Sequence, residues 1–157
     1  MAFHHHLANR IAGLYFRVRR PRTLGVRALV LDPQERVALV RHTYTDQWYL
    51  PGGGVKKGES FAAALVRELK EEVALDAPTV ERVLGVYHSR REGKDDHIVV
   101  FVVRVAVTPS SQLQAADAME IEEARWFPLD ALPANASPAT LRRVAEYRAG
   151  AVGLGVW

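Results

Sequence analysis

Along most of the chain apolar residues alternate with polar ones or gather in short blocks cut by turn signals, the pattern of strands rather than of a helical bundle. Residues 23–31 and 36–42 are two such blocks separated by Asp32, Pro33 and Gln34, which predicts a hairpin. A short segment, 48–50, runs into Pro51, Gly52, Gly53 and Gly54. Residues 80–89 and 97–107 form two more strands around the polar turn Glu92, Gly93, Lys94, Asp95, and 122–127 a last one. The period becomes helical over 61–73, where Ser60 can cap the first turn, and again over 138–148. Near the N-terminus Leu7, Ile11, Leu14, Tyr15 and Val18 recur at helical spacing up to Pro21, so an amphipathic helix is expected there. Its apolar stripe would dock on the domain or make a homodimer with a second copy. Hairpin-paired strands interrupted by helices predict an α/β fold, a mixed sheet with helices on its faces.

Composition bounds the chemistry. At 157 residues, 48% hydrophobic and 25% charged, the chain suits one compact domain. Its expected limits are 23–150, with a basic segment, 1–22, ahead of it and a tail, 151–157, behind. The absence of cysteine removes disulfides, thiolate metal sites and cysteine nucleophiles, and agrees with a reducing, cytoplasmic setting. The longest apolar run, 98–103, is far short of the roughly 20 residues that span a bilayer. The formal charge is +3, but Arg10, Arg17, Arg19, Arg20, Arg22 and Arg27 all precede the first acid, Asp32. A solvated basic face explains such a block more often than a nucleic-acid partner does. No role is assigned to His4, His5 and His6.

The helix over 61–73 carries the strongest chemical signal. At about 100° per residue, Ala62, Leu65, Val66, Leu69 and Val73 form its buried stripe. Glu68, Glu71 and Glu72 then line one edge, with Glu72 partly inside the buried face. Like charges one turn apart at the negative end of the helix dipole call for a compensating cation. Arg67 can pair with Glu71, but one guanidinium does not neutralise that edge. A hard divalent ion would, since Mg²⁺ takes oxygen ligands and retains room for phosphates. The preceding glycines bring backbone groups close to a metal or a phosphate.

Residues 53–75, GGVKKGESFAAALVRELKEEVAL, resemble the catalytic box of the Nudix hydrolase family. Gly53, Glu59, Arg67, Glu68, Leu69, Glu71, Glu72 and Leu75 match it in register. The specified polar and glycine positions would coincide by chance about once in ten million windows. Ala74 stands where the family has glycine, and alanine resists the left-handed cap conformation that glycine accepts, so the helix end is expected to depart from the family's. The resemblance extends through the strands before the box and through Arg125, Trp126, Phe127 and Leu132.

The resemblance implies an α/β/α sandwich in which the box forms a loop-helix-loop. It also implies an enzyme that hydrolyses the phosphoanhydride bond of a nucleoside diphosphate derivative. Mg²⁺ or Mn²⁺ would be held by Glu68, Glu71, Glu72 and the Gly53 carbonyl, with Glu59 and Arg67 orienting those ligands. Catalysis would fall to Glu68, Glu71 and an acid outside the helix. Glu120 is chosen over Asp117, Glu122 and Glu123, because the Glu120-Ile121-Glu122 run resembles the place of the family's additional metal-facing acid. Arg90, Arg91, Lys94 and His97, with His88, surround one hairpin and could contact the phosphates of a nucleotide-type substrate. Trp48, Tyr44 and Tyr49 lie near the glycines, and none is assigned to base binding. The rival reading is a non-catalytic module on the same scaffold that binds nucleotide, RNA or protein.

Overall fold

A computed structural model describes residues 22–76, 78–90, 95–106 and 113–157. The expected N-terminal helix, and with it most of the 1–22 segment, lies outside them, as do Arg91 and Lys94. In chain order the elements are β1 (Arg22–Leu31), β2 (Arg36–His42), β3 (Trp48–Tyr49), α1 (Phe61–Val73), β4 (Thr79–Ser89), β5 (Asp95–Arg104), β6 (Ile121–Pro128), α2 (Pro138–Arg148) and β7 (Gly153–Val156). The sheet is mixed, in the order β3-β2-β1-β5-β4-β7, and β6 lies along β2. Residues 151–157, expected as a tail, contain β7, which runs parallel to β4 from Gly85 opposite Gly153. Its Gly-Leu-Gly-Val sequence is too short and too rich in glycine to read as a strand.

Among the described residues each sheet face carries one helix, because the central strands are apolar on both sides. Val26, Ala28 and Val30 of β1 and Ala38 and Val40 of β2 pack with Leu65, Leu69 and Val73 of α1. Leu29, Leu31, Val37 and Leu39 pack on the opposite face with Val144 of α2. This is the expected α/β/α arrangement.

The first hairpin turns where predicted. The Asp32 carboxylate accepts the amides of Gln34 and Arg36 and the Arg36 guanidinium. The two strands then part, however, with only Leu31 and Val37 in register. β2 pairs along its length with β6, and the glycine segment takes its place on β1. Ala28 donates to the Pro51 carbonyl, Val26 to Gly53 and Val55 to Leu24, each at 2.9 Å. Such a close approach requires glycine at position 52, where φ is +134° and a Cβ would fall 2.2 Å from the Val26 carbonyl oxygen. The split in the sheet is what slides the glycine segment beneath α1.

Ser60 caps α1 as expected, accepting from the Ala63 amide. The buried stripe is rotated from the predicted one. Ala62 and Val66 are exposed, whereas Ala64, Leu65, Leu69, Glu72 and Val73 are buried. Apolar spacing alone centred the stripe one position away from the carboxylates. At the far end Ala74 adopts the left-handed conformation, φ 56° and ψ 32°, and its amide bonds to the Leu69 carbonyl. The helix therefore ends as a glycine would end it, at a strain of about 1–2 kcal/mol.

Candidate active site

The rotation of α1 turns its acidic edge toward the glycine segment. Glu72 is 5% exposed, and its Oε2 accepts the Gly52 amide at 2.7 Å. Burial pushes its carboxyl up to about 7, against the opposing pull of the Arg27 charge and the Gly52 hydrogen bond, while Glu68 and Glu120 add to the rise. The Glu68 carboxylate lies across Gly53, where a Cβ would fall 2.6 Å from its Oε1. A side chain at position 53 would displace that carboxylate. The Gly53 carbonyl, expected to face a cation, accepts the Val26 amide, and the Gly52 carbonyl accepts Arg27 Nη1.

Arg67 organises the rest of the edge. Its Nε and Nη2 grip Glu59 at 2.8 and 3.0 Å, its Nη1 reaches Glu68 at 2.7 Å and Glu71 at 3.1 Å, and Nη2 also bonds to the Gly54 carbonyl. The fork geometry of guanidinium allows this set of contacts. The Arg67 bonds hold the Glu59 carboxyl down at about 2, helped by the Lys56 amide. Glu59 thus fixes Arg67, and Arg67 fixes Glu68 and Glu71.

Glu120 stands just before β6, and a carboxylate oxygen of it, one of Glu72 and a ring nitrogen of His42 all lie within 4.8 Å of one another. The neighbouring acids turn elsewhere, Glu122 to Arg41 at 3.0 Å and Glu123 to Arg41 and Arg125. Glu120 is held in place by the Thr43 amide, which donates to its carbonyl at 2.9 Å. Glu68 and Glu71 are bound to Arg67 and lie outside that close group.

Sequence reasoning missed His42 and Arg27. The signal for His42 was its phase, since Ala38 and Val40 on the same strand face α1. With apolar residues on both faces of β2, alternation did not mark it. Arg27 interrupts the otherwise buried run of β1 and bonds to the Leu50 and Gly52 carbonyls.

A second group lies where β1 and β5 begin. Arg22, His88, Arg90, Asp95 and His97 line a cleft of about 350 Å³. His88 pairs with Asp95, and the rings of His88 and His97 are 5.0 Å apart. Arg90 and His97 are therefore together, as expected. Another cleft of about 320 Å³, lined by Gly25, Arg27, Asp96 and Ile98 among others, includes Gly53 and Gly54 of the glycine segment. Trp48 is buried against Phe127, whereas Tyr44 is exposed.

Residues 21–147 match the NUDIX domain. A Bacillus subtilis protein, whose name assigns it provisionally to the 8-oxo-dGTP diphosphatases, is 29% identical over 129 residues, covering 82% of each chain. The ADP-ribose pyrophosphatase of Methanocaldococcus jannaschii is 33% identical over 107 residues, 66% of this chain and 61% of that one. Among solved structures a UDP-X diphosphatase superposes with a TM-score of 0.68 at 25% identity, covering 87% of this chain and 68% of that one.

Proposed function

The chain belongs to the Nudix family of hydrolases, and we infer that it is a metal-dependent pyrophosphohydrolase acting on a nucleoside diphosphate joined to a further group. The observation that carries this reading is the buried edge of α1, where Glu68 and Glu72 meet the backbone of Gly53 and Gly52. An ordinary solvated face would not bury a carboxylate to 5% exposure without a cationic side chain bonded to it.

The donor set fits a hard divalent cation. Carboxylate oxygens converge from α1 and from the segment before β6, and burial holds one of them near neutrality in the metal-free protein. We assign Mg²⁺ or Mn²⁺ to Glu68, Glu71, Glu72 and Glu120, with the second lone pair of the Gly53 carbonyl as a further donor. A bound cation would neutralise phosphate charge and acidify a water molecule. The chain's own residues do the rest. Glu120, or Glu68 or Glu71 in its place, accepts the proton of the attacking water. The water oxygen bonds to phosphorus as the bridging P–O bond breaks, giving a nucleoside monophosphate and a phosphorylated remainder. Glu59 and Arg67 keep the glutamates from collapsing outward.

The relatives' names differ in base and leaving group yet share a nucleoside diphosphate core. The cleft with Arg22, Arg90 and His97 is our candidate for the substrate's phosphates, which two guanidinium groups suit. No specific observation favours the non-catalytic module. Among the described residues no helix is long and apolar enough to cross a membrane. The test is a panel of nucleoside triphosphates, ADP-ribose, diphosphate sugars and dinucleoside polyphosphates with Mg²⁺, products resolved by chromatography. Cleavage between phosphates in at least one compound is expected. Silence across the panel, together with RNA binding that weakens steeply with salt, would replace the enzyme with a binding module.

A further inference from the structure

His42 has no part in the catalytic box, yet the fold delivers it beside the carboxylates of Glu72 and Glu120. It ends β2, where the register with β6 slips between Arg41 and His42: Arg41 faces Glu123 and His42 faces Ile121, so Glu122 is the extra residue. Such a bulge bends a strand and re-aims the side chains beside it. Here it is locked from both sides. Thr43 donates its amide to the Glu120 carbonyl and its hydroxyl to Met119, tying the end of β2 to the segment that carries Glu120. The imidazole stacks on Tyr44 at 5.1 Å and leans on Tyr49 at 5.7 Å. His42 is 5% exposed, and its Nδ1 is a buried atom with no hydrogen-bond partner among the described residues.

A buried ring nitrogen without a partner is uncommon, because its desolvation is then uncompensated. A histidine serving only as packing would bond each nitrogen to a carbonyl, a carboxylate or a hydroxyl. One nitrogen of this ring instead lies within 4.8 Å of carboxylate oxygens of both Glu72 and Glu120. A cation about 2.1 Å from each of three donors holds them roughly 3 to 4 Å apart, so side-chain shifts on the order of 1 Å close the set.

Resting on the function proposed above, we propose that His42 is a metal ligand, joining Glu72 and Glu120 in a mixed nitrogen-oxygen cation site. An imidazole donor gives the site a preference that carboxylates alone do not. Borderline ions such as Mn²⁺ and Co²⁺ gain from nitrogen ligation, whereas Mg²⁺ is served by oxygen. The buried histidine thus sets which divalent ion the carboxylates hold most firmly.

The experiment is electron spin echo spectroscopy on the full chain, freed of metal and loaded with one equivalent of Mn²⁺. Nitrogen modulation is expected, converting to the ¹⁵N pattern when the protein is labelled with ¹⁵N-histidine. His42→Gln should abolish it while Mn²⁺ remains bound through the carboxylates. That variant should also weaken Mn²⁺ roughly tenfold and leave Mg²⁺ affinity nearly unchanged. The labelled wild-type protein alone decides the matter if the variant does not fold. Bound Mn²⁺ without nitrogen modulation would overturn the histidine ligand and leave the hydrolase reading intact. Modulation that persists in a folded His42→Gln protein would do the same, assigning the nitrogen to another histidine. Failure of the wild-type chain to bind Mn²⁺, or unchanged binding in Glu72→Gln, would overturn the carboxylate site itself.

Discussion

Glu72, on a helix, accepts the Gly52 amide from the loop beneath it at 2.7 Å, so the buried acid and the backbone that approaches it are one unit. Its carboxyl titrates at about 7 instead of the usual 4.5. In metal-free protein the unfolded chain releases this proton first as pH rises. Stability is therefore greatest below about 4.5 as far as this group is concerned, and falls until about pH 7. The shift corresponds to at most about 3 kcal/mol. Glu72→Gln keeps an oxygen for Gly52 and should flatten that dependence, melting no lower than wild type at pH 8 in chelator. Turnover should fall by about two or more orders of magnitude. Normal turnover, or unfolding of the variant, would make the glutamate structural.

Arg67 is the second point of attack. Arg67→Lys retains the charge but loses the two-pronged hold on Glu59 and the link to Glu68 and Glu71. The metal concentration for half-maximal activity should rise about 10- to 100-fold with the melting temperature little changed. A metal titration that overlays wild type would show that the glutamates need no such positioning.

Ala74 departs from the family's glycine yet takes glycine's conformation, φ 56°. Ala74→Gly should stabilise the protein by about 1 kcal/mol, read in denaturant, with turnover unchanged. A less stable variant would mean that the alanine methyl makes a contact worth more than the strain it causes.

Which of these features could be read in advance follows from their physics. The box glutamates were legible because fixed spacing on a helix translates directly into a shared edge, and Ser60 and Pro138 marked their helix starts through capping and fixed φ. The parting of β1 from β2 was not legible. Nothing in two apolar blocks says that the second will pair with a strand some eighty residues later while a glycine segment fills the gap. His42 was hidden because apolar residues on both faces of β2 masked its phase, and its meeting with Glu120 depends on a bulge in β6. β7 escaped because two of its residues are glycine. Long-range pairing, which local period does not encode, accounts for the first of these misses and for the meeting of His42 with Glu120.

Glu120 was chosen from sequence, and the fold brings it beside Glu72. If it accepts the proton of the attacking water, Glu120→Gln should lower the maximal rate roughly a hundredfold at an unchanged metal requirement. If it serves chiefly as a ligand, the half-saturating metal concentration should rise instead. Wild-type values of both would return the base to Glu68 or Glu71.

The central claim, hydrolysis of a phosphoanhydride at a divalent cation held by the edge of α1, is tested most directly by turnover of the best panel substrate through one cycle of metal removal. Activity should vanish in excess EDTA, return on adding Mg²⁺ or Mn²⁺ beyond the chelator, and fail to return in Glu72→Gln. Full turnover by wild-type protein in EDTA would contradict the account.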